Sequence, residues 1–128
     1  MKIIVIDEEE KKSLIRMYFY GITTRELKRF SKKQGYGDDF MAIHFKEYLE
    51  EDPYEFQQEL SEIKDNQVLL WARYPAISEK NSETNVYLNF DEFYGYLEES
   101  VNERIAETPS DKAEYEQLLS EVKIALGL

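Results

Sequence analysis

The residues of this sequence that could do chemistry are mostly carboxylates, and many of them are concentrated in one stretch. From Phe45 to Glu62 the chain reads FKEYLEEDPYEFQQELSE, with seven acidic residues and one basic residue, Lys46. Pairs of carboxylates can act as general acid and base in glycoside hydrolysis. A chain this acidic contains many such pairs by chance, so their presence alone does not predict an enzyme.

The residue types that other enzyme mechanisms need are few. His44 is the only histidine and lies in an apolar run, which favours a structural histidine over a catalytic base. There is no cysteine, so the chain offers neither a thiolate nucleophile nor a thiolate metal ligand. Walker, G-x-S-x-G, H-E-x-x-H and EF-hand patterns are missing from the sequence. We therefore expect no enzymatic activity, no cofactor and no metal.

Length and composition indicate one globular domain over residues 1–128. The chain is 42% hydrophobic and has ten Tyr, seven Phe and one Trp, which is enough for a core. Its formal net charge is −11, so nucleic acid and anionic membranes should repel it. The N-terminal apolar run is too short for a signal peptide, and no later stretch reaches transmembrane length. We expect a cytoplasmic protein, monomeric when free.

The charge is unevenly distributed along the chain. Residues 1–37 carry nine Lys/Arg against five Asp/Glu, residues 38–66 carry two against ten, and residues 67–128 carry five against twelve. The basic segment Arg25–Lys33 could contact RNA phosphates, but nearby acids offset its field, and a solvated surface is the favoured interpretation. The acidic concentration at 38–66 is the more specific signal.

Apolar periodicity predicts an α+β fold, with helices at both ends around a small, largely antiparallel β-sheet. Strands are predicted at KIIVI near the N-terminus, Phe40–Phe45, Val68–Tyr74 and VYLNF at 86–90. For Phe40–Phe45 the alternative is the start of a helix that runs through Leu49. Helices are predicted from about Glu8 to Tyr20 after an Asp7 cap, at the basic segment after a Thr23–Glu26 capping box, after Asp52, after Asp91 and after Pro109.

The DPYE tetrapeptide predicts how the acidic stretch folds. Asp52 is a favourable N-cap residue and Pro53 suits the first helical position. A helix from there puts Glu55, Glu59 and Glu62 on one face. Like charges at this spacing cost roughly 0.2–0.5 kcal/mol per pair. We therefore expect that changing all three to Gln leaves the free protein no less stable.

Two interpretations of this acidic stretch remain open: an ordinary solvated surface, or a surface that captures a basic protein. Tyr48, Tyr54 and Trp71 flank it, and such aromatic residues are enriched at binding hot spots. Acidic side chains beside aromatic ones suit rapid capture through electrostatic steering. The predicted contact residues are Glu47, Glu50, Glu51, Asp52, Tyr54, Glu55, Glu59, Glu62 and Trp71.

Two segments carry a resemblance to a known family. They are EEEKKSLIRMYFYGITTRELKRFSKKQGYG and VYLNFDEFYGYLEESVNERIAE, the latter followed by TPSDKAEYEQLLSEV. The sequence resembles the ribonuclease-toxin immunity proteins of bacterial contact-dependent growth inhibition and wall-associated toxin systems. In these, a short helix leads through a basic segment to a G-Y-G turn, and a later strand runs into an FDEFYGYL-type helix. The middle of this chain, Asp38 to Tyr74, departs most from that pattern.

The resemblance implies a cytoplasmic inhibitor that binds its cognate toxin domain one to one and blocks its nuclease site, without catalysis. An acidic adaptor or regulator that binds another basic protein is the alternative. A small hydrolase that uses carboxylates is a third class. The position of the gene would separate the first two, because an immunity gene is expected to lie directly downstream of a large toxin gene.

Overall fold

The computed structural model describes residues 2–128; Met1, the first residue of the predicted domain, lies outside the described residues. The strands of this range are β1 (Lys2–Ile4), β2 (Met41–Phe45), β3 (Gln67–Arg73) and β4 (Glu83–Asn89). Its α-helices are α1 (Glu8–Phe19), α2 (Thr24–Phe30), α3 (Lys46–Glu50), α4 (Gln57–Glu62), α5 (Phe90–Glu107) and α6 (Lys112–Ala125), with a 3-10 turn at Pro109–Asp111.

The four strands form one sheet in the order β1-β4-β3-β2. β2 pairs antiparallel with β3, and β3 pairs antiparallel with β4. β1 runs parallel to β4 at the edge. The predicted α+β class, with helices at both ends and a largely antiparallel sheet, is confirmed.

One face of the sheet carries the main hydrophobic core. Because successive side chains of a strand point to opposite faces, every second residue is buried on this side. Ile43 of β2, Leu70 of β3 and Val86 of β4 lie side by side in the ladder and are fully buried. Helices α1, α2, α5 and α6 supply the opposing apolar residues. Apolar burial of this kind is the main favourable term in folding.

Aromatic rings join the helical layer at its centre. The Phe30 ring of α2 meets the Phe93 ring of α5 edge-on, with centroids 5.1 Å apart, and Phe19 of α1 lies 5.7 Å from Phe93. These separations suit edge-to-face attraction. Gly21, with φ of 72°, makes the turn between α1 and α2.

Two helix starts differ from the sequence prediction. At Thr23 the hydroxyl donates to the Glu26 carboxylate and accepts from the Arg25 N–H, so the full backbone capping box does not form. Helix α5 is capped by Asn89, which forms a capping box with Glu92, and Asp91 already lies inside the helix. The helix therefore starts earlier than predicted, and the buried Phe90 is its first residue and not the last residue of the strand.

The second face of the sheet is covered only in part. Leu49 of α3 and Ile63, which follows α4, pack against Leu69 of β3. Half-buried Phe56 and Tyr87 complete this small cluster. The remainder of the face opens into a cleft.

Among the described helices, none has the length and apolar character needed to cross a membrane.

Replacing Leu97 with Ala should test the main core. Leu97 is fully buried in α5 within the cluster that α6 completes. We expect a loss of roughly 2–5 kcal/mol in the free energy of unfolding, because the change removes buried methyl groups and leaves a cavity. Denaturant unfolding measures it. The control is Asn102→Ala at an exposed position of the same helix, whose free energy of unfolding should stay within about 0.5 kcal/mol of the wild type. Equal free energies of unfolding for the two variants would contradict this packing.

Two glycines provide a matched pair. A Cβ on Gly35 would lie 1.9 Å from the Ile43 carbonyl oxygen, whereas a Cβ on Gly95, inside α5, would meet nothing within 4 Å. We expect Gly35→Ala to destabilise by roughly 1–3 kcal/mol through overpacking against backbone. Gly95→Ala should stabilise by about 0.5–1 kcal/mol, because Gly is the poorer helix former. Thermal unfolding of both variants checks the signs; a stable Gly35→Ala protein would refute the close approach.

Candidate partner-binding cleft

A cleft of about 500 Å³, here called the sheet-face cleft, lies on the sheet face opposite the main core. Strand register forms its floor, because Ala42, Trp71 and Asn85 are neighbours across β2, β3 and β4. The other lining residues are Lys2, Gly35, Tyr36, Gly37, Asp38, His44, Tyr48, Glu55, Phe56, Glu59, Leu69 and Glu83. The acidic stretch therefore forms one wall of a cleft.

A buried ion pair ties that wall to the sheet. Glu59 of α4 is only 2% exposed. The Lys2 Nζ atom donates to its Oε2 atom at 2.6 Å, and the Asn85 Nδ2 atom donates to the same oxygen at 3.2 Å. Burial acts to raise the pKa of Glu59, but the hydrogen bonds from Lys2 and Asn85 outweigh it and hold the pKa below its ordinary value.

Within the described residues, two oxygen atoms of this network have no hydrogen-bond partner. They are Glu59 Oε1 and Asn85 Oδ1, both shielded from solvent. Buried acceptors are nearly always paired in folded proteins, so two unpaired ones on neighbouring side chains form an unusual arrangement. They can accept a hydrogen bond from a donor that enters the cleft.

Trp71 is held in place on the cleft floor. Its Nε1 atom donates to Glu83 Oε1 at 2.9 Å, across the β3–β4 ladder. The Arg73 guanidinium lies 6.0 Å from the Trp71 ring centre and 5.6 Å from that of Phe40. This orients the indole ring of Trp71, which was among the predicted contact residues.

His44 belongs to the aromatic wall of the cleft. Its ring stacks on Tyr48 with centroids 4.6 Å apart and 7° between planes, and it lies 6.0 Å from the Phe56 ring. Burial lowers the pKa of His44, which favours the neutral imidazole at pH 7. The stacking supports the structural role predicted from its apolar surroundings.

The prediction that Glu55, Glu59 and Glu62 share one exposed helical face is wrong. Helix α4 begins at Gln57, and Glu55 lies in the turn before it. Asp52 closes that turn, since its Oδ1 atom accepts from the Glu55 N–H and its carbonyl accepts from the Phe56 N–H. Glu59 then points to the sheet, and the half-buried Glu62 accepts a 2.5 Å hydrogen bond from the Tyr87 hydroxyl.

The other predicted contact residues lie on the surface. Glu50, Glu51 and Asp52 are exposed at the turn after α3, and Tyr54 is 91% exposed. The exposed Glu47 carboxylate accepts from Lys33 at 3.2 Å. Among the described ion pairs, none involves Glu50, Glu51 or Glu55.

Helix α2 covers only part of the basic segment Arg25–Lys33, and Lys33 at its end contacts other parts of the chain. Helix α2 spans only Thr24–Phe30, with Leu27 and Phe30 buried. Lys33 lies beyond it, pairs with Glu47 and approaches the Phe90 ring to 5.5 Å. This end of the basic segment therefore pairs with an acid of the chain itself.

Sequence reasoning missed Lys2, Glu83 and Asn85 of the cleft. One signal for two of them exists in β4, whose sequence ETNVYLN places Glu83, Asn85 and Tyr87 at alternate positions. Polar residues at every second position of a central strand indicate that one sheet face is not closed by a core. For Lys2, nothing nearby in the sequence points to its partner 57 positions away.

Replacing Glu59 with Gln should reveal the ion pair. The change keeps the shape but leaves Lys2 without its anion, so we expect a loss of roughly 1–3 kcal/mol in unfolding free energy at pH 7. The expectation that changing Glu55, Glu59 and Glu62 to Gln leaves the protein no less stable therefore does not hold, because Glu59 is buried and paired. The folded pKa lies below the ordinary value, so this stabilisation is complete above about pH 4.3 and is lost as pH falls through the folded pKa.

Denaturant unfolding across a pH series measures this. The gap between wild type and Glu59→Gln should narrow below about pH 4.3. The exposed Glu55→Gln serves as control and should differ from wild type by less than about 0.5 kcal/mol at pH 7. A Glu59→Gln protein as stable as this control would contradict the pairing.

Comparison with known proteins identifies the family. No curated protein and no solved structure matches the chain. A family model described as "CDI immunity protein" matches residues 7–119, which is most of the chain and includes both segments that carry the resemblance. CDI denotes contact-dependent growth inhibition, and its immunity proteins neutralise a cognate toxin. The chain thus belongs to the CDI immunity protein family.

Proposed function

We propose that this protein neutralises a ribonuclease toxin domain by binding it one to one in the cytoplasm and covering its basic active site or substrate surface. It acts by stoichiometric binding and performs no catalysis. A ribonuclease must attract the phosphates of RNA, so its substrate surface is basic. An acidic protein surface can compete for that site.

One observation carries this proposal: exposed carboxylates that form none of the described ion pairs stand at the end of α3 and in the turn before α4. Glu50, Glu51 and Glu55 take part in none of the described ion pairs, and Glu55 lines the sheet-face cleft. Exposed carboxylates near one another repel weakly and are fully hydrated when the protein is free. A basic partner relieves that repulsion. It is attracted to these carboxylates over a distance that the salt concentration determines.

The direct test is a charge-matched pair of triple variants. The first, Glu50→Gln/Glu51→Gln/Glu55→Gln, removes three charges from this turn. The second, Glu98→Gln/Glu114→Gln/Glu121→Gln, removes three exposed charges from α5 and α6. Each changes the formal net charge from −11 to −8, so a difference between them reports position and not total charge.

Stopped-flow association with the cognate toxin domain gives the readout. At low salt the first variant should associate roughly 10–100 times more slowly than wild type, because steering charges are lost. The second should stay much closer to wild type. Both differences should fade near 1 M salt, where the screening length is about 3 Å. Equal rates for the two variants would place the toxin contact elsewhere, and no binding by the wild type would refute the function.

A further inference from the structure

The sheet-face cleft contains two hydrogen-bond acceptors that the fold leaves unused. Glu59 Oε1 and Asn85 Oδ1 have no hydrogen-bond partner among residues 2–128, and their residues are 2% and 0% exposed. The two side chains touch through the 3.2 Å hydrogen bond from Asn85 Nδ2 to Glu59 Oε2. Both unpaired atoms are acceptors, so a ligand that satisfies them must supply at least two donors.

The charge of the cleft favours a cation. Its lining includes four carboxylates, those of Asp38, Glu55, Glu59 and Glu83, against one ammonium group, that of Lys2. The Arg73 guanidinium, 6.0 Å from the Trp71 ring centre, is a second positive charge nearby, so an excess of negative charge remains. His44, whose pKa burial lowers, adds little positive charge at pH 7. An anionic or neutral ligand would leave this excess uncompensated, whereas a cation reduces it.

The shape and lining of the cleft favour a planar cation. Tyr36, Tyr48, Phe56 and Trp71 line it, and a guanidinium stacks on such rings. A guanidinium also carries five N–H donors and no acceptor, which matches two neighbouring unpaired oxygens. An ammonium group is a compact and strongly hydrated charge, and it does not stack in this way.

We propose that the sheet-face cleft receives an arginine side chain of the toxin, with the guanidinium against Trp71 and hydrogen-bonded to Glu59 and Asn85. The identity of the partner rests on the function proposed above, whereas the preference of the cleft for a guanidinium does not. The two oxygens are shielded in the free protein, so the arginine displaces a rim side chain as it enters.

The preference of the cleft is tested on the wild-type protein alone. N-acetylarginine amide is titrated while the Trp71 indole N–H and the Asn85 side-chain amide are followed by 1H–15N NMR. N-acetylcitrulline amide has nearly the same shape without charge, and N-acetyllysine amide carries the charge without the planar group. We expect saturable shifts of both signals with the arginine compound, and binding about tenfold weaker for the other two.

Three results would overturn the assignment. Equal responses to the arginine and citrulline compounds would mean that the positive charge of the ligand does not contribute to binding. This is the result expected if an ordered water already donates hydrogen bonds to the two oxygens. Equal responses to arginine and lysine compounds would remove the case for a guanidinium. Shifts confined to exposed acids such as Glu50 and Glu51, with Trp71 and Asn85 unmoved, would show nonspecific attraction outside the cleft.

Variants connect the response to the named atoms. Glu83→Gln removes one negative charge from the cleft, and its amide oxygen can still accept from the Trp71 indole N–H. The variant should therefore weaken arginine amide binding several-fold. Glu59→Gln should weaken it about tenfold. Glu62→Gln is the control, since Glu62 bonds Tyr87 and does not line the cleft. Unchanged binding in the folded Glu83→Gln and Glu59→Gln proteins would refute the site.

The toxin itself is tested through Trp71, the single tryptophan of the chain. Labelled with 5-fluorotryptophan, the protein gives one 19F signal, even in a complex with an unlabelled toxin domain. We expect the signal to shift on binding and to lose its difference between H2O and D2O, because the indole becomes covered. If calorimetry shows binding while the signal stays unchanged, the cleft is not the contact and the proposed function stands. If the toxin does not bind at all, the proposed function and the partner assignment both fall, and the amide titration alone decides the chemistry of the cleft.

Discussion

The ion pair between Lys2 and Glu59 is the interaction on which the second face of the sheet depends. A carboxylate that is 2% exposed is costly to bury unless a cation and hydrogen bonds compensate it. Here the compensation comes from the edge strand β1 and from Asn85 of β4. The pair joins α4 to two neighbouring strands and so holds one wall of the sheet-face cleft. Without it, α4 would keep the small apolar cluster around Leu69 and the hydrogen bond from Tyr87 to Glu62.

The acidic stretch divides into carboxylates with different physical roles. Glu59 and Glu62 are bonded to Lys2 and Tyr87, so they shape the wall of the cleft. Glu50, Glu51 and Glu55 remain exposed, where their field extends into solvent over roughly a Debye length. Exposed charges mainly set association rates, while desolvated contacts mainly set the lifetime of a complex. A surface with both kinds side by side can attract a basic protein first and hold it afterwards.

Sequence predicted what depends on local pattern and missed what depends on distant partners. The β3 strand, the presence of helix α5 and the α+β class follow from periodicity, which neighbouring residues determine. Trp71 was chosen from its residue type as a contact residue; it lies on the cleft floor, and its contact with a partner stays a prediction. The start of α4 was not predicted, because Asp52 closes a turn in place of capping a helix. The burial of Glu59 was not predicted either, because its cation lies 57 residues away.

The family match and the cleft describe the molecule at different levels. The matched residues, 7–119, contain most of the helices and strands that build the main core. Lys2 precedes them, so the cation that fixes Glu59 lies outside the stretch by which the family is recognised. Membership therefore accounts for toxin neutralisation but does not supply the chemistry of the cleft. Immunity requires discrimination between toxins, and unpaired buried acceptors discriminate strongly, because a partner that lacks the matching donors leaves them unsatisfied. We therefore propose that the open sheet face is where this chain encodes its choice of toxin.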